Sequence, residues 1–211
     1  GLFQRAIMQS GGGYRTGFAE NVEELQAEKN GITIAEAAHT KSLKELRSVP
    51  AEKLYQLTSQ IEARLLHAKN GLIFQPSTDG YVLKEKYDEA VKNAETADVD
   101  YLLGYTRNDL EIIPAKNNET SILEQGCCKW SVLNEQNGRR PSYVYCFERC
   151  LPGDHAGAFH SSELWYMFHT LNRCWRPMTE ADEELADRMC TYWSNFIKTG
   201  NPNGYGLSEW K

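Results

Sequence analysis

The 211-residue chain has no apolar run near the ~18 residues that a membrane-spanning helix needs. It has no basic excess either. With 23 Lys and Arg against 29 Asp and Glu, the formal net charge is −6, so no extended basic face for a nucleic-acid backbone is expected. None of the six cysteines, at positions 127, 128, 146, 150, 174 and 190, stands in a CxxC pair, which argues against zinc ribbons and thioredoxin-like redox chemistry. At this length six are too few for the disulfide scaffold of a small secreted domain, and reduced, mostly buried thiols are expected. There is no HExxH and no histidine pair at helical ligand spacing, so no metal site is expected. Internal repeats and low-complexity tracts are absent. Residues Gly1 to Met8 lack an initiator Met and the basic and apolar regions of a signal peptide. The expectation is a segment of a larger protein, with a cytoplasmic location favoured.

What is present alternates between strand and helix. Arg5–Ser10 reads as a short buried strand closed by Gly11-Gly12-Gly13. Helix-favouring text runs from about Phe18 to Lys29, with Val22 and Leu25 on one face. Two short pieces follow, Ile34–Ala38 and Ser42–Val49, and then a helix that starts at Pro50 and carries Leu54, Leu57 and Ile61. Ser77-Thr78-Asp79-Gly80 is a turn in which Asp can bond local backbone and Gly can take positive φ. A short helix over Lys86–Asn93 precedes the strand Val99–Tyr105. Ser121–Glu135 reads as a helix. Ser142–Phe147, rich in aromatic and β-branched residues, reads as a strand. After a glycine-bearing loop a helix is expected from about Ser162. The best helix spans Asp182–Ile197, opened by a capping-box pattern at Thr179 and Asp182 and stopped by Gly200 and Pro202. This order predicts an α/β fold with a mostly parallel sheet flanked by helices, all in one domain. Functional residues of such sheets sit beyond the carboxyl ends of the strands.

Four candidates for chemistry follow. Gly11-x-Gly13-x-x-x-Gly17 follows a strand, but its third glycine is one residue late for a dinucleotide loop, and no acidic strand end follows at the usual distance. It reads as a plain turn, and no cofactor is implied. Ser10 has Gly12 two residues on but Met8 two residues before. A nucleophile elbow needs a very small residue at both places, so Ser10 is rejected as a nucleophile. His160 follows a strong strand by a loop, where a general base can project above a sheet, with His155 and His169 as local competitors. His39 and His67 lie in polar helical text and read as surface residues. Asp109, just past the strand ending at Tyr105, could orient a histidine and stabilise its imidazolium, with Glu111 as its competitor. The order acid then histidine matches the hydrolase order.

Taken together, several segments resemble the C-terminal half of the type-B carboxylesterases, the α/β-hydrolase family that includes para-nitrobenzyl esterases and cholinesterases. Gly1–Gly11 (GLFQRAIMQSG) resembles the stretch shortly after the family's nucleophile elbow. Pro76–Gly80 resembles its P-x-x-DG turn. Leu103–Asp109 resembles its acid loop, and Gly157–Leu164 its G-x-x-H-x-x-E-[LI] loop. Tyr192–Phe196 with Gly200–Asn203 resembles its closing W-x-x-F-x-x-x-G-x-P-N helix end. The pieces cover nearly the whole chain in order. The resemblance implies a carboxylic ester hydrolase in which His160 is the general base and Asp109, usually Glu in the family, is the orienting acid. Glu163 would fall on a buried partner near the histidine. It also implies a small-molecule ester substrate, no cofactor, and a partner in the missing N-terminal half of the same domain, where the elbow serine would lie. The alternative is an inactive binding or adhesion protein of the same fold, against which an intact His160 loop argues.

Overall fold

The computed structural model describes residues 1–17, 21–67, 72–110 and 120–211. In chain order the elements begin with strand β1 (Arg5–Gln9), strand β2 (Val22–Glu23) and helices α1 (Glu24–Ala37), α2 (Leu43–Ser48) and α3 (Ala51–His67). Then come β3 (Ser77–Thr78), α4 (Tyr87–Lys92), β4 (Asp100–Thr106), α5 (Ile122–Gln136), β5 (Tyr143–Phe147), α6 (Leu164–Met167), a 3₁₀ turn at Leu171–Arg173, and α7 (Glu180–Thr199). They form two compact units, one of Gly1–Thr16 with Val91–Lys211, the other of Gly17–Ala90.

The first unit is a parallel sheet in the order β1-β4-β5. Arg5 pairs with Asp100 and Gln9 with Gly104, while Leu102 pairs with Tyr143 and Thr106 with Phe147. A central parallel strand is covered on both faces and so must be apolar throughout. β4 is: every residue from Tyr101 to Thr106 is buried. Successive side chains leave opposite faces. Tyr101 meets the α5 residue Trp130 edge-on at 5.2 Å between ring centroids. Leu102 joins the core that α7 builds with Ala186, Met189, Trp193 and Phe196, four residues at helical spacing. Gly104 is glycine because a Cβ there would collide with the ring and carbonyl of Tyr145 on the next strand. α7 begins with the capping box of Thr179 and Asp182 and ends at Gly200 with φ of 82°.

In the second unit β2 and β3 pair over two residues beside α1, α2 and α3. Asp79 Oδ1 accepts the backbone N–H groups of Tyr81, Val82 and Leu83, and Gly80 has φ of 70°, as the turn chemistry requires.

Several local expectations change. Val22 belongs to β2, where it is paired with Ser77; Phe18 lies outside the described residues. The helix instead starts at Glu24 and continues through Gly31 into the separately expected Ile34 piece, because the i to i+4 ladder tolerates one glycine. Leu25 is mostly exposed rather than facing a core. β1, expected to be buried, is half-buried along its whole length, since it is paired on one side only. The helix expected from Ser162 is a single turn over Leu164–Met167, after which Phe168 caps it. Of the six thiols only Cys127 is buried, with burial pushing it up to about 12. Cys128 and Cys150 are exposed and the other three half-exposed.

Candidate active site

Ser10 directly follows β1, Asp109 is the third residue past β4, and the chain after β5 leads through a loop to His160. Parallel pairing therefore delivers all three to one end of the sheet. Two backbone links tie the β4 and β5 extensions together: Arg107 N–H donates to the Phe147 carbonyl at 2.8 Å, and Asn108 N–H to the Ala158 carbonyl at 2.9 Å. The Asn108 side chain returns the contact, accepting Ala158 N–H at 3.0 Å. Gly157 has φ of 70° and no room for a Cβ against that Asn108 side chain, so both its backbone and its size demand glycine.

This clamp sets Asp109 against His160. Asp109 Oδ1 lies 2.6 Å from His160 Nδ1. The carboxylate is 3% exposed and the imidazole 41%. Asp109 also accepts Ser10 Oγ–H at 2.6 Å, Thr106 N–H at 2.9 Å and Leu110 N–H at 2.8 Å. Burial alone would push its carboxyl up. The hydrogen bonds from Ser10, Thr106, His160 and Leu110 overcome it and hold the group below the usual carboxylate range. An ionised carboxylate only accepts, so Nδ1 carries the ring proton and Nε2 is left as the acceptor.

Sequence reasoning singled out Asp109 and His160, and the structure brings them together. His155 is exposed in the loop, and His169 Nε2 instead pairs with Asp187 at 2.8 Å on the surface; neither meets the acid. Glu111 lies outside the described residues, as does the side chain of His67; His39 is exposed, as expected.

Two contacts were not foreseen. Ser10 has φ of 55°, the left-handed backbone typical of an elbow serine, yet its hydroxyl is spent on Asp109. The crowding that Met8 signals is real: a Cβ on Gly12 would stand 2.7 Å from the Met8 Cβ. Gln9 Nε2 donates to Glu163 Oε1 at 3.1 Å. Glu163 is fully buried, and its second oxygen has no partner, so burial, with the charge of Asp109 adding to it, pushes the carboxyl up. Both contacts join residues far apart in sequence. Their sequence signals were that Gln9 and Ser10 end a strand and, by resemblance, that Glu163 is buried near the histidine.

The Gly11–Gly17 run has a packing use. A Cβ on Gly13 would press on Thr16 and on the α5 backbone at Gly126, and Tyr14 N–H donates to the Gly126 carbonyl at 2.9 Å. No cluster of three metal-ligating side chains, and no helix long and apolar enough to cross a membrane, occurs among the described residues.

A family model described as the carboxylesterase family matches residues 1–134 and 127–211. Human cocaine esterase is 28% identical over 146 residues, covering 66% of this chain and 23% of that protein. The para-nitrobenzyl esterase of Bacillus subtilis (strain 168) is 23% identical over 249 residues, covering 96% of this chain and 49% of its own length. A solved para-nitrobenzyl esterase structure superposes with a TM-score of 0.75 at 20% identity, over 99% of this chain and 51% of that one. The chain thus spans about half or less of these relatives' lengths. That superposition establishes the α/β-hydrolase fold. With the family model matching end to end, over strands that carry an acid and a histidine to one rim, the chain belongs to the carboxylesterase family.

Proposed function

We propose that this chain supplies the acid and the base of a serine carboxylesterase, as the C-terminal portion of a single α/β-hydrolase domain. The observation that carries the reading is the 2.6 Å contact between Asp109 and His160 Nδ1 at the carboxyl end of the sheet. It leaves Nε2 on a partly exposed ring, where a hydroxyl can meet it. His160 takes the proton of the nucleophilic serine as its oxygen attacks the ester carbonyl carbon, and passes that proton to the departing alcohol. Water then attacks the acyl-enzyme with His160 as base, and the serine recovers its proton as the carboxylic acid leaves. Asp109 holds the imidazole in one tautomer and stabilises the imidazolium.

The nucleophile is assigned outside residues 1–211. The sequence holds no G-x-S-x-G, and the hydroxyl of Ser10 is committed to Asp109. Ser10 braces the acid in this scheme, and Glu163 supports the histidine loop from beneath. β1 is an edge strand of the described sheet, with Leu2 and Phe3 exposed before it. The N-terminal half of the domain is placed at that edge. An inactive binding protein would have no use for a carboxylate kept ionised against a correctly tautomeric imidazole.

The test is fluorophosphonate labelling. The isolated chain stays unlabelled. Addition of the elbow-bearing half yields one labelled serine, on that half, with ester turnover that His160→Ala abolishes. Stoichiometric labelling of Ser10, Ser161 or Ser162 in the isolated chain overturns the assignment.

A further inference from the structure

Between β5 and His160 the chain makes an excursion over residues 152–157, closed at its neck by Leu151 N–H donating to the Gly157 carbonyl at 3.2 Å. Nothing in the acid clamp described above holds this excursion. Arg176 does, from the segment after the 3₁₀ turn. Its Nη1 donates to the Pro152 carbonyl at 2.9 Å and to Asp154 Oδ1 at 2.6 Å, and its Nη2 to Asp154 Oδ2 at 2.8 Å. Asp154 in turn accepts Ala156 N–H at 3.0 Å. Gly153, with φ of 103°, lets the loop press within 3.1 Å of Pro177 at its virtual Cβ.

The guanidinium has a second contact. Its Cζ lies 5.1 Å from the ring centroid of Phe159 and 4.8 Å from that of Trp175. Phe159 also meets Trp165 edge-on at 6.0 Å. Phe159 is the residue before His160. Arg176 itself is 8% exposed, unusual for an arginine whose partner Asp154 is exposed. Burying a cation to hold a surface carboxylate is a poor stability device. Burying it against the side chain that precedes His160 has a use.

We propose that Arg176 is a positioning residue for His160. Its planar fork closes the loop on Pro152 and Asp154, and its face packs on Phe159, so that the backbone that carries the imidazole is held in place against Asp109. The inference rests on the Asp109–His160 reading given above. Its physical weight comes from the sensitivity of such constellations to placement: a displacement of about 1 Å can cost on the order of a hundredfold in rate. Lysine could reach Asp154, but it offers neither the fork nor the stacking face.

The experiment reads the bridging proton directly and needs no turnover. In the ¹⁵N-labelled chain, the His160 Nδ1–H resonance is assigned by its loss in His160→Gln, and its solvent exchange is timed. Arg176→Gln and Phe159→Leu are expected to speed that exchange by about tenfold, the signature of a looser local pair in a folded chain. Arg176→Lys should fall between, and Trp175→Ala, on the exposed face, should match the parent. Phe159→Leu keeps the arginine clasp intact, so it carries the test if Arg176→Gln does not fold. Unchanged exchange in Phe159→Leu and Arg176→Lys, with the resonance lost in Asp109→Asn, overturns the proposal and leaves the acid–base pair standing. Survival of the resonance in Asp109→Asn removes the pair itself, and the proposal falls with it.

Discussion

Two buried carboxylates in the same unit invite comparison. Asp182, at the head of α7, accepts Arg149 Nε at 2.7 Å and Nη2 at 3.1 Å, Tyr166 O–H at 2.7 Å, and the Thr179 N–H and hydroxyl at 2.8 and 2.7 Å. Burial opposes its charge, but Arg149, Thr179 and Tyr166 overcome that and hold the carboxyl far below its usual range. Asp109 is held ionised in the same way, by four donors. By direction of shift the two cannot be told apart, although Asp182 accepts five hydrogen bonds to the four of Asp109. The difference lies in what the donors do next. No donor to Asp182 can take up a proton near neutrality, whereas one donor to Asp109 is a ring whose second nitrogen is a free acceptor at a partly open rim. A well-held charge marks good packing of polar groups; a basic partner that reaches solvent marks chemistry.

Substitution separates the two most sharply. With the nucleophile-bearing half present, Asp109→Asn should keep the shape but favour the wrong imidazole tautomer. The loss in acylation rate should approach the factor of about 10⁴ seen for the same change in the serine-protease triad. Burst kinetics with a chromogenic ester measure it; a loss under tenfold would make Asp109 another Asp182.

Asp182→Asn should do the reverse, costing about 3 kcal/mol of stability, the low end for breaking a buried pair because Arg149 can still reach water. Its folded pKa is lowered, so its contribution is complete above the ordinary carboxylate range and is lost as pH falls through the folded value. Urea unfolding of parent and variant should therefore differ most near neutrality and converge in acid.

Smaller effects, opposite in sign to one another, are expected at Ser10 and Glu163. Ser10→Ala removes a hydrogen bond to a charged group and should destabilise by about 1.5 kcal/mol, read by urea unfolding at neutral pH. Glu163→Gln should stabilise by about 1 kcal/mol at neutral pH, since Gln can still accept from Gln9 and no longer buries a charge with an unpartnered oxygen. Here the folded pKa is raised. The ionised form is penalised as pH rises through that value, so the gain should vanish below the ordinary carboxylate range. A gain that persists in acid would assign it to packing instead.

The smallest expected change is Glu111→Gln. His160 Nδ1 already faces Asp109, and a carboxylate not bonded to the ring should alter acylation by less than about tenfold. A crippled Glu111→Gln enzyme would move the acid's identity by two positions.

The capping box at Thr179, the turn at Asp79 and the stop at Gly200 were legible in the sequence. Each is decided within four residues of chain, where sterics and local hydrogen bonds act without help. The boundaries that failed did so where a partner strand or helix intervened. Val22 reads as helix alone and becomes strand because Ser77 pairs with it. β1 reads as buried and stays half-exposed because one edge has no neighbour among the described strands. Asp109 and His160 were legible as residue types placed just past strands, and by resemblance. Their contact was expected from the resemblance, whereas the bonds from Ser10 to Asp109, Gln9 to Glu163 and Arg176 to Asp154 were not.

What the sequence determined by itself is therefore the local half of this protein: which stretches are strands and helices, and which chemical groups stand at their ends. The tertiary structure alone decided which ends meet. The physical reason is that parallel pairing carries no local signature. β1 and β4 lie some ninety residues apart, so only burial of their shared faces selects the register that sets Ser10, Asp109 and His160 on one rim.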